Sequence, residues 1–277
     1  MTDYVDFHTH STASDGELTP YELVKKAKET NLSKIALTDH DTVNGLDEFE
    51  RAGKSFCVST VAGIELSAAY KCEMHILGLY INHKIPDFTD MVNKLKEYRK
   101  QRNIKMIEAL VNNGFNISMN DLLALNPDAK PESVGRSHMA RALVDKGYYN
   151  SVKDAFNDML ANDKPAYVAR EKLTVEECVK LIHTAGGYAV LAHPVYITQD
   201  EQELNCLVRE LKEKGMDGIE CYYSQYTNAY TKLCLQICKK YNMKISGGSD
   251  FHGSSRAESK LGRIYTGQFL ARNLTDF

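Results

Sequence analysis

The run Tyr4-Val5-Asp6-Phe7-His8-Thr9-His10 reads as a short strand whose end carries two histidines. Residues two apart in an extended chain lie on the same side, so His8 and His10 project together and can reach one metal ion. The device recurs near the other end of the chain as Asp250-Phe251-His252. It follows a strand candidate at Lys244 to Ser246 and the pair Gly247-Gly248, which permits close backbone approach. Between these pairs lie His40 in Thr38-Asp39-His40-Asp41, Glu65 after Ala62-Gly63-Ile64, His75 in Glu73-Met74-His75 and His193 in Ala192-His193-Pro194. Each follows a run with the pattern of a buried strand. In an α/β barrel the C-terminal strand ends converge on one face, where active sites are built. Scattered core histidines would have no reason to share that address.

Working outward, strand-like runs alternate with helical patterns, as in βα units around a parallel sheet. Thr19, Pro20 and Glu22 supply an N-cap, an N1 proline and a capping-box glutamate for a helix reaching about Asn31. Lys34 to Thr38, Cys57 to Ile64, Met74 to Leu79, Tyr188 to Ala192 and Gly218 to Cys221 are further strands, and a helix starts near Val43. Thr174 with Glu177 opens a helix that ends near Gly186-Gly187. The alternation stops between about Asp87 and Lys164, where Met91, Val92, Leu95, Tyr98, Ile107, Leu110 and Val111 recur near helical spacing. Ser118 with Asp121 and Ser151 with Asp154 mark shorter helices. The expected division is a barrel of residues 1–86 and 165–277 interrupted by a helical insertion, 87–164. The long helix of the insertion is basic at Lys94, Lys96, Arg99, Lys100, Arg102 and Lys105. It reads as a solvated face, with a wall touching substrate phosphates as the alternative.

The bulk numbers exclude several classes. A chain of 277 residues with 43% hydrophobic and 26% charged residues has ordinary globular composition. A net charge of -3 and a pI near 6.3 give no global basic field for nucleic acid. Seven cysteines without paired spacing read as reduced, mostly buried thiols. The N-terminus lacks a charged and then apolar leader, and no apolar run suffices for a membrane span. A cytoplasmic protein with no obligate protein partner is expected.

Six neutral imidazoles and three carboxylates (Asp15, Glu65, Asp250) suffice for two to three divalent ions. Mixed histidine and carboxylate ligation suits Zn, Mn or Fe better than an oxygen-only Mg or Ca cage. Such ions supply the attraction for an anionic substrate that the net charge lacks.

Taken together, His8-Thr9-His10-Ser11 with Asp15, Thr38-Asp39-His40-Asp41-Thr42, Gly63-Ile64-Glu65, His75, Ala192-His193-Pro194 and Gly248-Ser249-Asp250-Phe251-His252-Gly253 resemble the PHP (polymerase and histidinol phosphatase) family. The resemblance implies a distorted (β/α)7 barrel with a metal cluster at the strand C-terminal ends. It implies one ion on His8, His10, Glu65 and Asp250, a second on Asp15, His40 and His252, and a third on Glu65, His75 and His193. Within the family, Gly135-Arg136-Ser137-His138 inside a helical insertion is similar to the nucleotide phosphatases and small-RNA exonucleases. Ser137 is expected to cap the following helix, leaving Arg136 and His138 at an anion-binding N-terminus as phosphate contacts.

The expected activity is hydrolysis of phosphomonoesters of nucleotides, such as nucleoside monophosphates or 3′,5′-bisphosphates, or of short oligonucleotide ends. A metal-bridging hydroxide would attack in line. Asp15, His40 and His252 are the candidates to relay a proton to the leaving alkoxide, although as ligands they are not free acids. The alternatives are a histidinol-phosphate-type phosphatase, an amidohydrolase, or a metal-binding module without catalysis.

Overall fold

The computed structural model describes residues 3–125, 130–254, 256 and 258–277. The chain runs β1 (Tyr4–Asp6), α1 (Pro20–Glu29), β2 (Leu32–Leu37), α2 (Leu46–Phe56), β3 (Ser59–Ala69) and β4 (Met74–Leu79). The helices α3 (Pro86–Asn112), α4 (Met119–Ala124), α5 (Arg136–Asp145) and α6 (Val152–Ala155) follow. The chain then returns to the sheet through β5 (Leu173–Thr174), α7 (Val175–Thr184), β6 (Tyr188–Leu191), α8 (Glu201–Glu213), β7 (Gly218–Tyr223), α9 (Asn228–Tyr241) and β8 (Lys244–Gly248). Thr19/Glu22 and Thr174/Glu177 form the capping boxes read from the sequence.

Seven strands lie in the order β1-β2-β3-β4-β6-β7-β8, with β5 paired to β3. The sheet nearly closes, because the segments following β1 and β8 meet. Phe7 N–H donates to Gly247 O at 3.1 Å, Asp250 N–H donates to His8 O at 2.9 Å, and Thr9 pairs with Phe251. The two i, i+2 pairs from opposite ends of the chain thereby become neighbours.

One strand departs from the simple βα repeat. β4 is antiparallel to both β3 and β6. His75 therefore does not follow a strand, as the sequence reading held, but stands at the start of β4. Since β4 runs backwards, its start lies at the rim where its neighbours end. Glu65 likewise sits inside β3, which continues past it to form a hairpin with β4.

Apolar residues divide by face. Ile35, Leu37, Ile64, Leu66, Ile76 and Leu191 pack with helical residues such as Leu23, Phe49, Val179 and Leu207. Val5, Phe7, Ala36, Val61, Leu77, Leu79, Val190 and Ala192 form a cluster that contains no helical residue, and so fills the barrel. His40, Glu65 and His75 share the strand parity of Ala36, Val61 and Leu77 and stand above that filling.

A third cluster belongs to the helical stretch, with Met106, Leu110, Leu122, Val134, Met139 and Leu143. The long α3 joins the two bodies: Phe88, Val92 and Leu95 pack in the barrel's outer core, while Met106 and Leu110 pack in the helical one. Between them Arg99, Arg102 and Asn103 are buried.

Gly248 shows how tight the closure is, since a Cβ built there would lie 2.4 Å from His8 Cβ. Gly248→Ala should therefore lower stability by about 1–3 kcal/mol, as overpacking does, and reduce metal content along with it. A thermal midpoint equal to wild type would contradict this account of the seam.

Candidate metal centre

Glu65 is fully buried, and five imidazoles surround its carboxylate. His75 Nδ1 (2.9 Å), His193 Nε2 (3.0 Å) and His8 Nε2 (3.5 Å) face Oε1, while His40 Nδ1 (2.9 Å) and His10 Nε2 (3.3 Å) face Oε2. Asp250 Oδ1 lies 3.4 Å from His8 Nε2 and 3.1 Å from His10 Nε2. Asp15 Oδ1 lies 3.3 Å from His252 Nε2 and 3.8 Å from His40 Nε2. All nine side chains singled out in the sequence thus meet at one place.

Ligand atoms within 4.8 Å of one another form three groups among the described residues: His8, His10 and Glu65; His10, Asp15, His40 and His252; and His40, Glu65 and His75. Seven buried atoms of this set have no hydrogen-bond partner: His8 Nε2, both nitrogens of His10, Asp15 Oδ1, His40 Nδ1, Glu65 Oε2 and His252 Nε2. Orphaned buried polar atoms are costly and rare in a folded chain. Their concentration on good metal donors is the arrangement that divalent ions would satisfy, so the residues fit the group.

A second layer aims the first. Glu220 is fully buried, faces His8 Nδ1 at 3.0 Å and accepts the His193 N–H at 2.8 Å. This leaves His8 Nε2 pointing into the cluster. Asp39 accepts from Ser11 N–H and Oγ and from Ser14 Oγ, tying the loop after His10 to the one before His40. Asp6 does the same for the opposite seam through Ser249 and Gly262, and burial pushes its pKa up to about 6. Tyr223 OH (2.9 Å) and Arg256 Nη1 (2.8 Å) both donate to Asp250 Oδ2, leaving Oδ1 toward His8 and His10. The backbone is also bent to aim these groups, for Asp41, His193 and Asp250 have positive φ values of 52°, 29° and 54°. Such conformations in non-glycine residues gather at functional sites.

The sequence reading missed this layer. An acid inside the strand run Gly218–Tyr223 was the available signal for Glu220.

The cluster opens into a cleft of about 240 Å³ that includes Asp15, His40 and His75. Arg99, Arg102, Arg136, Arg170, Lys172 and Arg256 also line it. The solvated-face reading of the long helix is corrected at two of its six cations: Lys94 and Lys105 are exposed, whereas Arg99 and Arg102 are only 8% and 7% exposed. Their stretch of α3 lies under the segment before α5, where Asn103 Nδ2 donates to Val134 O at 2.8 Å.

Ser137 is not the cap of α5. Gly135 takes that position and its N–H meets His138 Nδ1 at 3.2 Å, while Ser137 Oγ donates to Asp15 Oδ2 at 2.9 Å. His138 is buried, does not line the cleft, and is held neutral by burial with its pKa pushed down to about 4. Arg136 does reach the cleft, between Phe156 and Tyr167, and bonds Glu73 Oε2 at 3.0 Å.

A sequence profile of the PHP domain matches residues 6–223. A 5′-3′ exoribonuclease of Haemophilus influenzae is 33% identical over 253 residues, covering 91% of each chain. A 3′,5′-nucleoside bisphosphate phosphatase of Chromobacterium violaceum is 30% identical over 260 residues, covering 93% of this chain and 90% of its own. The crystal structure of a Bifidobacterium adolescentis protein described as a metal-dependent phosphoesterase superimposes with a TM-score of 0.86 at 27% identity, over 98% of this chain and 94% of that one.

Protons and cations compete for this cluster. Burial opposes charging His10 and His75, but the carboxylates around them prevail and push both up to about 9. Burial lowers His40 and takes His252 down to about 4. A raised pKa stabilises the fold fully below the ordinary histidine value of 6.5 and is lost as pH rises through the folded value. The metal-free chain should therefore lose thermal stability between about pH 6.5 and about pH 9, while metal affinity climbs over that interval with proton release. Calorimetry in two buffers of different ionisation enthalpy reads the release, and an affinity flat in pH would contradict the assignment. Glu220→Gln should weaken metal binding about 10–100-fold by loosening His8, measured by competition with a chelator. An unchanged affinity would remove Glu220 from the layer that aims the ligands.

Proposed function

The chain belongs to the PHP domain family and is a metal-dependent phosphoesterase, and from that premise we propose that it hydrolyses phosphoesters of nucleotides or of short oligonucleotide ends. The observation that carries the reading is the set of orphaned buried donor atoms around Glu65, beside a cleft walled by guanidinium groups. The relatives named for exoribonuclease and nucleoside bisphosphate phosphatase activity support the nucleotide as substrate class.

We assign two to three divalent ions, Zn, Mn or Fe. His8, His10, Glu65 and Asp250 would hold one, Asp15, His40 and His252 a second, and Glu65, His75 and His193 a third. When bound, such ions supply a nucleophilic hydroxide at neutral pH and neutralise charge on the phosphoryl oxygens.

The protein's own groups supply position. Arg136 can turn from Glu73 toward a phosphate oxygen, since its guanidinium is already oriented by two aromatic rings. The Ser137 hydroxyl fixes the carboxylate of Asp15. Asp15, His40 and His252 border the place where a leaving alkoxide would take its proton. The stretch 87–164, with its separate apolar cluster, covers base and sugar as an insertion in the barrel 1–86 and 165–277. No helix of the described residues is long and apolar enough to cross a membrane. The cysteines are all free, and a cytoplasmic setting suits them.

Phosphate release from a panel of nucleoside monophosphates, a 3′,5′-bisphosphate, a short 5′-phosphorylated RNA and histidinol phosphate tests the proposal. The metal-reconstituted protein should favour the nucleotides, and His8→Ala should lose both metal content and turnover. A preference for histidinol phosphate, or undiminished turnover in the variant, would overturn it.

A further inference from the structure

Glu73-Met74-His75 repeats the spacing of His8-Thr9-His10 and Asp250-Phe251-His252. Met74, between the two, is fully buried in the outer core of the barrel, so Glu73 and His75 both point the other way, toward the cleft they line. Among the described residues Glu73 belongs to none of the groups that could hold a metal ion. Three side chains nevertheless converge on its carboxylate. His75 Nε2 and Lys172 Nζ each lie 3.2 Å from Oε1, and Arg136 Nη2 lies 3.0 Å from Oε2.

The His75 ring therefore stands between two carboxylates, with Nδ1 2.9 Å from Glu65 Oε1 and Nε2 facing Glu73. A neutral imidazole has one N–H and one lone pair, and a metal ion takes the nitrogen with the lone pair. Glu65 and His75 share a group whose ligand atoms lie within 4.8 Å of one another. Donation to an ion there requires the lone pair at Nδ1 and the proton at Nε2. Glu73 Oε1 is the acceptor that secures this arrangement, since a carboxylate on the outer N–H fixes both tautomer and ring orientation of a ligating histidine. Glu220 acts on His8 in the opposite sense, where Nδ1 faces the carboxylate and Nε2 faces the cluster.

Glu73 is itself held from outside. Its side chain is 35% exposed, and Arg136 of α5 and Lys172, just before β5, restrict the positions it can take. The two oxygens serve different partners. If Arg136 turns to a phosphate it frees Oε2 alone, and Oε1 stays with His75 and Lys172.

We infer that Glu73 is a positioning residue of the metal centre: it holds the His75 proton on Nε2, so that Nδ1 is the donor to the ion shared with Glu65. The inference rests on the metal-dependent reading and deepens it. One ion depends on a carboxylate outside its own ligand set, which the helical stretch helps to keep in place.

Two measurements test it. Nitrogen-15 spectra of the histidine side chains in the full zinc-loaded chain, with His75 identified by difference from His75→Gln, read the tautomer directly. The proton should sit on Nε2 and the zinc on Nδ1. Zinc on Nε2, or a His75 without zinc, would overturn the inference whatever the rate of phosphate release. This spectrum needs no variant of Glu73, so it decides the matter even where Glu73→Ala folds poorly.

The second measurement counts zinc retained by wild type, Glu73→Ala and Glu73→Gln against a graded chelator. Glu73→Ala should weaken one class of bound zinc about 10–100-fold and leave the rest unchanged. Glu73→Gln keeps an amide oxygen for the His75 N–H and should stay within about threefold of wild type. Equal losses in both variants would make charge, and not the hydrogen bond, the cause; that result overturns the inference, as does no loss in either. Zinc lost from His8→Ala but not from Glu73→Ala would sink this inference alone. Intact zinc binding in His8→Ala would sink the metal-centre reading and the inference with it.

Discussion

Glu65 is the fixed point of this molecule. A fully buried carboxylate is tolerable only when its charge is matched, and here five imidazoles from four separate segments match it. With no cation, the arrangement depends on protons held by His8, His10 and His75, whose pKa values the surrounding carboxylates raise against the pull of burial. Divalent ions bound there would displace those protons, and the same atoms would serve as the ions' donors. Either way, positive charge must sit between Glu65 and its neighbours, and the barrel exists in a form that allows it.

That form explains two features that would otherwise look like irregularities. Reversing β4 places its first residues, not its last, at the active rim, so His75 reaches Glu65 across the β3–β4 hairpin. Letting the segments after β1 and β8 pair across Gly248 puts Asp250 and His252 beside His8 and His10. Around the ligands, Glu220, Asp39 and Asp6 fix rotamers and loops, and the positive-φ turns at His193 and Asp250 are held by this network. The helical stretch adds the second half of the site. Among the described residues it adds none to the groups that could hold a metal ion, and its contribution is a wall of guanidinium groups over the cleft.

Much of this was legible in the chain. The paired spacings His8/His10 and Asp250/His252 name one face of an extended strand without any tertiary knowledge, and the capping boxes at Thr19 and Thr174 are local hydrogen-bond patterns. The direction of β4 was not legible, because a hairpin and a crossover differ in global path and not in the strand's own apolar pattern. Arg99 and Arg102 were hidden for a related reason. Within α3 they stand among lysines and glutamates as a solvated face would, and residues that line the cleft with them, such as Ser133, Gly135, Val168 and Arg170, are distant in sequence. Ser137 had the composition of an N-cap, but the pull of Asp15, 122 residues away, outweighed the local rule. Local patterns singled out the nine side chains that meet around Glu65, whereas long-range charge pairing decided much of what surrounds them.

The central claim is that both oxygens of Glu65 sit among shared cations. Crystals grown with Mn²⁺, with diffraction recorded on either side of the manganese absorption edge, test it without reference to catalysis. The account predicts anomalous peaks at roughly 2.0–2.2 Å from Glu65 carboxylate oxygens, as carboxylate ligation of such ions requires, with His8, His10, His40 and His75 turned toward them. Density showing only hydrogen-bonded side chains there, with manganese elsewhere or absent, would contradict it.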